Sequence, residues 1–182
     1  MVTRDAIVKA ARSWLGTPYH HQASAKGVGC DCLGLIRGIW RELYGPEPET
    51  IPAYTRDWGD ATGAETLLAA ACRHLVKLDE AGLAGPGDIL VFRMRDGGVA
   101  KHAGILVRAP SPRRKPESKT APLPGGRAGL ASADLDCGLR QNDGWVNARL
   151  IHAQEGLGVV EIALGFWWRR RVAAAFRFPG VS

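Results

Sequence analysis

The chain has 182 residues, 46% of them hydrophobic, with 24 lysines and arginines against 18 acidic residues, for a formal net charge of +6. That is enough apolar side chain for one substantial core, and one domain spanning 1–182 is the expectation. No apolar run approaches a membrane span, so membrane insertion is not expected; the basic excess favours an anionic partner, whether nucleic acid, a membrane surface or an acidic wall polymer.

The start, Met1-Val2-Thr3-Arg4-Asp5, has neither the basic opening nor the apolar stretch of a signal peptide, so a product made in the cytoplasm without one is expected. Four cysteines at irregular spacing, Cys30, Cys32, Cys72 and Cys137, do not make a disulfide framework, and reduced thiols are the natural reading. Zinc-finger spacing, a ribonucleoprotein motif and a phosphate-binding glycine loop are all missing, so no direct nucleic-acid recognition is expected.

In chain order, Thr3 is placed to cap a first helix whose apolar face is Ala6, Ile7, Ala10, Ala11, Trp14 and Leu15. Gly16-Thr17-Pro18 stops it, and Tyr19 to Gly29, with His20 and His21, reads as a loop. From Cys32 onward Leu35, Ile36, Ile39, Trp40 and Leu43 recur at helical spacing as far as Tyr44-Gly45-Pro46. A proline-punctuated connection passes Trp58 to a third helical pattern with Leu67, Leu68, Ala71, Cys72, Leu75 and Val76, which places Cys72 in the core.

The pattern then becomes extended. After the turn Gly85-Pro86-Gly87-Asp88, strands are predicted at 89–92, 102–107, 150–153, 159–163 and 172–178. Helices first and an antiparallel sheet of about five strands afterwards mean α+β. Between the second and third strands, 109–148 holds five of the chain's eleven prolines and little periodicity, and reads as a long Pro/Gly-rich insertion. Its run Arg113-Arg114-Lys115 either docks on an anionic surface or is simply solvated.

Chemistry concentrates on Cys32. In the first turn of a helix a thiol faces unpaired backbone N–H groups, which favour the thiolate and lead to the expectation of a lowered pKa. Such a cysteine is either a nucleophile or a small hydrophobe tucked under the helix. The histidines bear on the choice: His102 opens a predicted strand, and His152 lies within the strand expected to pair beside it. Nucleophile, base and orienting group in that order is the papain-like sequence of roles, with Cys32 on a helix and His102 and His152 on the sheet. A metal site from Cys30, Cys32 and His20 or His21 has no usual zinc spacing, so neither metal nor cofactor is expected.

These segments resemble the NlpC-type peptidoglycan peptidases, a papain-like family. The matching motifs are Gly16-Thr17-Pro18-Tyr19, Asp31-Cys32-Leu33-Gly34-Leu35, Gly87-Asp88-Ile89-Leu90-Val91-Phe92, His102-Ala103-Gly104-Ile105 and Ile151-His152-Ala153. The resemblance implies helices packed on a central antiparallel sheet and a cysteine endopeptidase acting on stem or cross-link peptides of bacterial peptidoglycan. The family's usual target is the bond between D-glutamate and a diamino acid. It implies Cys32 as nucleophile, His102 as base and acid and His152 as its orienting partner. Tyr19 and Asp31 are implied at the substrate or oxyanion position.

The wording His21-Gln22-Ala23-Ser24, then Gly27-Val28-Gly29-Cys30-Asp31-Cys32-Leu33-Gly34-Leu35-Ile36-Arg37-Gly38, and the closing Trp167-Trp168-Arg169-Arg170-Arg171, are similar to the branch found in phage tails and phage-like gene transfer agents. That likeness implies a tail-associated enzyme with tail or hub proteins as partners, carried by the particle to the recipient's periplasm and wall. Leu33 stands where the wider family has serine. A different class of reading is a structural tail or hub component that keeps the peptidase fold without essential hydrolase activity.

Overall fold

The computed structural model describes residues 1–55, 59, 63–108, 145 and 147–181. Chain order gives α1 (Arg4–Ser13), β1 (Ser24–Ala25), β2 (Gly29–Cys30), α2 (Cys32–Tyr44), α3 (Thr66–His74), β3 (Val76–Lys77), β4 (Ile89–Arg93), β5 (Ala100–Arg108), β6 (Arg149–Gln154), β7 (Gly158–Ala163), α4 (Phe166–Arg169) and β8 (Val172–Arg177). The main sheet runs β3-β8-β4-β5-β6-β7, every pair antiparallel. The five expected strands are all present, and the sixth is the two-residue edge β3, too short to leave a periodic signal. Most of the predicted 109–148 insertion, with Arg113, Arg114, Lys115 and Cys137, lies outside the described residues, as does Trp58.

Both sheet faces are covered, and strand alternation divides the core in two. Ile89 and Val91, Ala103, Ile105 and Val107, and Ile151 and Ala153 turn toward the helices and pack with Ile7, Ala11, Trp14, Leu35 and Ile39. Leu90, Phe92, Leu106 and Leu150 turn the other way and meet Trp145, Leu164 and Trp168. The Thr3 hydroxyl caps α1 by accepting from the Ala6 amide at 3.2 Å. Leu15 falls outside the buried face at 42% exposed, because α1 ends at Ser13 and the chain turns at Gly16.

Two glycines let α2 approach its neighbours. A Cβ on Gly38 would stand 2.1 Å from the Trp14 ring, and one on Gly34 would stand 1.9 Å from the Ala23 carbonyl oxygen. Behind the sheet, fully buried Asp88 accepts from Arg177 Nε at 2.9 Å, Arg177 Nη2 at 3.1 Å and the Gly85 amide at 2.9 Å, with Arg4 Nη1 at 3.1 Å. This carboxylate ties the α1 start, the turn before β4 and β8 together. Its hydrogen bonds also hold the Arg177 guanidinium above its usual pKa.

Cys72, expected in the core, is exposed. The buried stripe of α3 is Leu67 and Ala71. Cys72 continues from Leu68, which is itself only half-buried, and so rotates outward.

Candidate active site

Cys32 is the first residue of α2, and Asp31 is its N-cap. Asp31 is 2% exposed, with Oδ1 accepting from the Gly34 amide at 2.8 Å and Oδ2 from the Gln22 amide at 2.7 Å and the Tyr54 hydroxyl at 2.6 Å. A buried carboxylate is stable only with its lone pairs filled this way. Asp31 thereby fixes the start of α2, and so the backbone of Cys32. The segment before it is fastened too. The Cys30 amide donates to Pro18 O at 3.0 Å, the His20 amide to Cys30 O at 3.1 Å, and a parallel bridge joins Tyr19 to Cys30. Half-buried Tyr19 is thus held two positions along the bridged chain from the thiol, packed on the helix-side core.

The half-buried Cys32 Sγ reaches the main chain of β5. It lies 3.9 Å from Lys101 O, while the amides of Ala103, Leu33 and Cys32 itself point N–H dipoles at it. Lys101 and Ala103 flank His102, so the thiol meets the β5 main chain on either side of it, while among the described residues no hydrogen bond joins Sγ to either imidazole. A bulge between Phe92 and Arg93 of β4 sets two β5 residues, Lys101 among them, against one step of the partner. In this arrangement the thiol's acceptor is the Lys101 carbonyl.

The two histidines are brought together. His102 Nε2 and His152 Nδ1 are 2.8 Å apart, their rings edge to face at 88° with centroids 5.0 Å apart. Both rings pack on the side of their strands that carries Phe92 and Trp168. The tautomer that makes His102 a base donates its Nε2–H to His152 Nδ1, leaving Nδ1 with its lone pair for a thiol proton. His152 then keeps its own proton on Nε2, a buried nitrogen that has no hydrogen-bond partner among the described residues. Trp168 closes over the pair, with its ring centroid 4.9 Å from His152 and 5.4 Å from His102, and Phe92 packs at 6.1 Å from His102.

Burial sets the protonation states. It holds His102 down at about 3, with the neighbouring His152 adding to the effect, and it holds His152 at about 4. Burial first, and the Asp31 carboxylate second, push the Cys32 thiol up to about 12 against the three backbone amides that favour the thiolate. The expectation of a lowered cysteine pKa is therefore corrected. The helix dipole is outweighed by desolvation and by the anionic cap immediately before the thiol. Thiol and imidazole both rest neutral.

Sequence reasoning missed Tyr54 and the seating of Trp168. Tyr54 belongs to the proline-rich connection. Its hydroxyl donates to Asp31, and its carbonyl accepts from Gln22 Nε2 at 2.7 Å and meets His21 Nε2 at 2.9 Å. Burial, and then the bond to Asp31, raise its phenol. No local pattern announces such a partner. Residues 166–169 form a helical turn that sends Trp168 inward and Trp167 outward, a seating that the sequence does not announce. An apolar cavity begins at Leu33 and Ala103, chain neighbours of Cys32 and His102, and runs between α2 and α3 past Ile36, Leu67 and Leu75. It occupies the helix side of the sheet, and neither Cys32, His102 nor His152 lines it. Among the described residues no three His, Cys, Asp or Glu side chains converge as a metal site, and no helix is long and apolar enough to cross a membrane.

Comparison with solved structures bears on this arrangement. An NlpC/p60 family protein from Bacillus cereus superposes with a TM-score of 0.53 at 18% identity, over 97% of this chain and 40% of that one. NlpC2 from Trichomonas vaginalis gives 0.53 at 15% identity, over 98% and 48%. A protein of Staphylococcus aureus described as similar to lipoprotein, of the NLP/P60 family, gives 0.51 at 16% identity, over 96% and 41%. The chain has the NlpC/p60 fold. It spans less than half the length of these three structures, and so corresponds to one part of each. No protein-family model and no curated protein matches the sequence. The NlpC/p60 likeness is therefore one of architecture, and the chemistry has to be argued from the side chains.

Proposed function

We propose that this NlpC/p60-fold chain is a cysteine endopeptidase that cuts stem or cross-link peptides of bacterial peptidoglycan. The observation that carries the reading is the His102 Nε2 to His152 Nδ1 contact of 2.8 Å, beside a cysteine that opens a helix and touches the β5 backbone on either side of His102. Two buried imidazoles sharing a hydrogen bond are expensive to desolvate, and orienting a base gives that cost a purpose.

In this mechanism the Cys32 side chain turns from its resting bond to Lys101 O toward His102 Nδ1, which takes its proton as Sγ attacks the peptide carbonyl. The imidazolium that forms is stabilised through Nε2–H by His152. A thiolate beside His102 raises that imidazole's pKa, and an imidazolium lowers the thiol's, so the neutral resting pair is compatible with transfer during attack. The oxyanion is held by the Cys32 amide at the positive end of α2, with Tyr19 as the side-chain donor from the segment bridged to Cys30. Each such donor is typically worth about 3 kcal/mol. His102 then protonates the leaving amine, and water attacks the thioester with His102 as base. Asp31 acts from beneath as the cap that aims the Cys32 amide.

The proposal extends to location. The phage-like wording of 21–38 and of 167–171 supports a tail-associated component, bound to tail or hub proteins and delivered by the particle to the recipient's wall. Carriage by a particle supplies a route to the periplasm. Muropeptide release from purified sacculi, compared between wild type and Cys32→Ala, tests the activity: release by wild type alone is expected. Equal release by both, or by neither, would leave the fold as a scaffold.

A further inference from the structure

The short helix that lays Trp168 on the histidines turns two aromatics outward. Phe166 is 50% exposed and Trp167 is 46% exposed, an arrangement that costs hydrophobic free energy unless something covers the rings. Each ring carries an arginine from four residues further on. The Arg170 guanidinium lies 5.4 Å from the Phe166 centroid and that of Arg171 lies 4.0 Å from the Trp167 centroid. Arg171 is fixed further by donating from Nη1 to Trp167 O at 3.2 Å and from Nε to Met94 O at 3.4 Å. Among the described residues no carboxylate pairs with Arg170 or Arg171.

The surface is joined to the catalytic pair by ring contacts. Trp167 meets Trp168 edge to face at 4.9 Å, and Trp168 meets His152 at 4.9 Å. A ligand seated on Trp167 therefore lies one ring beyond the cover of the histidines.

We infer that Phe166, Trp167, Arg170 and Arg171 form a binding surface for an anionic saccharide-peptide polymer, the stretch of wall strand next to the peptide being cut. The inference rests on the proposed function. Aromatic faces suit the apolar faces of sugar rings. The Arg170 guanidinium and Nη2 of Arg171 remain to donate to carboxylates, and Arg171, already fixed by its two carbonyl bonds, does so at a smaller entropic cost than a mobile side chain would incur. The net charge of +6 adds a long-range attraction toward a polyanion. Several such contacts along one strand reinforce each other, so individually weak subsites hold a polymer well.

Pelleting of full-length Cys32→Ala protein with purified sacculi tests the surface without any turnover. Replacing Arg170→Gln and Arg171→Gln together is expected to weaken binding about tenfold at low salt, with the difference shrinking as salt rises toward about 1 M. The pair Phe166→Ala and Trp167→Ala is expected to weaken it at both salt levels, and circular dichroism confirms that each variant is folded. Sacculi bound equally by the parent and by the arginine variant would overturn the inference and leave the surface to a protein partner. Equal binding of the parent to uncharged chitin would overturn the anionic part of it. Failure of the proposed activity reads differently: patch-dependent binding then persists while the Cys32 protein releases no muropeptides.

Discussion

His102 and His152 share a hydrogen bond through Nε2 and Nδ1 at 2.8 Å, and that choice of nitrogens assigns unequal work to the two rings. In the proposed mechanism His102 donates this bond and keeps Nδ1 for proton transfer, whereas His152 acts only by accepting. His102→Ala should abolish wall digestion. His152→Asn or Gln, which still offers an acceptor, should keep measurable activity, while His152→Ala should lose about two orders of magnitude, about 2.7 kcal/mol of transition-state stabilisation. Digestion rates with a circular-dichroism check decide the matter. A folded His152→Asn protein as inactive as His102→Ala would exchange the roles.

The neutral resting state of the nucleophile has its own signature. With the Cys32 thiol pushed up to about 12 by burial and Asp31, the thiolate fraction grows about tenfold per pH unit throughout the neutral range. Alkylation of Cys32 by iodoacetamide, followed by mass spectrometry, should therefore climb from pH 6 to pH 9 without levelling. A plateau already present at pH 6 would mean that a thiolate-imidazolium pair exists before substrate arrives.

The helix-start position of Cys32 and the pairing of the strands that carry His102 and His152 were legible because the signals are local: apolar spacing marks α2, and short apolar runs adjoin each histidine. The five main strands were readable for the same reason. What escaped were contacts between distant segments. Tyr54 reaching Asp31 across 23 residues and the bulge that exposes Lys101 O to Cys32 leave no periodic trace. The direction of the cysteine shift was misjudged because a dipole can be read from helix position, whereas burial depends on the finished packing. Cys72 shows the same limit, since spacing gives a stripe but not its width.

Gly34 offers a test of how tightly the nucleophile's helix is seated. An added Cβ would lie 1.9 Å from Ala23 O, a backbone atom with little freedom to retreat. Gly34→Ala should destabilise the protein by about 3 kcal/mol, the upper range for forced overpacking. It should also lower wall digestion by more than the unfolded fraction explains, since α2 must move with Cys32 on it. Chemical denaturation and digestion rates on one preparation measure both. Unchanged values would show that the α2 start has slack.

Stability should also depend on pH in a definite sense. His102 and His152 are held near 3 and 4 in the folded chain, whereas an unfolded histidine titrates near 6.5. Between those values the unfolded chain binds more protons, so stability rises with pH through this window and is lost as pH falls from about 6.5 toward 3. The His102→Ala and His152→Ala double variant should flatten that acid limb in melting temperatures recorded from pH 4 to pH 7. An acid limb of unchanged slope would place the responsible groups elsewhere.

Trp168 should control the catalytic pH profile without touching the reacting atoms. Its ring lies 4.9 Å from His152 and 5.4 Å from His102, on the face where water would otherwise reach their shared hydrogen bond. Desolvation is the leading cause of the low His102 value, so admitting water raises that value toward 6.5. Because the base must be neutral, the acid limb of kcat/KM should then move to higher pH. Trp168→Phe keeps an aromatic cover and should shift the limb little, whereas Trp168→Ala should move it upward by about one unit or more and lower the plateau, as the hydrogen bond to His152 begins to compete with water. A merely structural role would reduce the amount of active protein at every pH and leave the limb in place. The pH profile of soluble muropeptide hydrolysis for the two variants therefore separates a shield from a packing residue, and an unmoved limb in folded Trp168→Ala protein would assign it to packing alone.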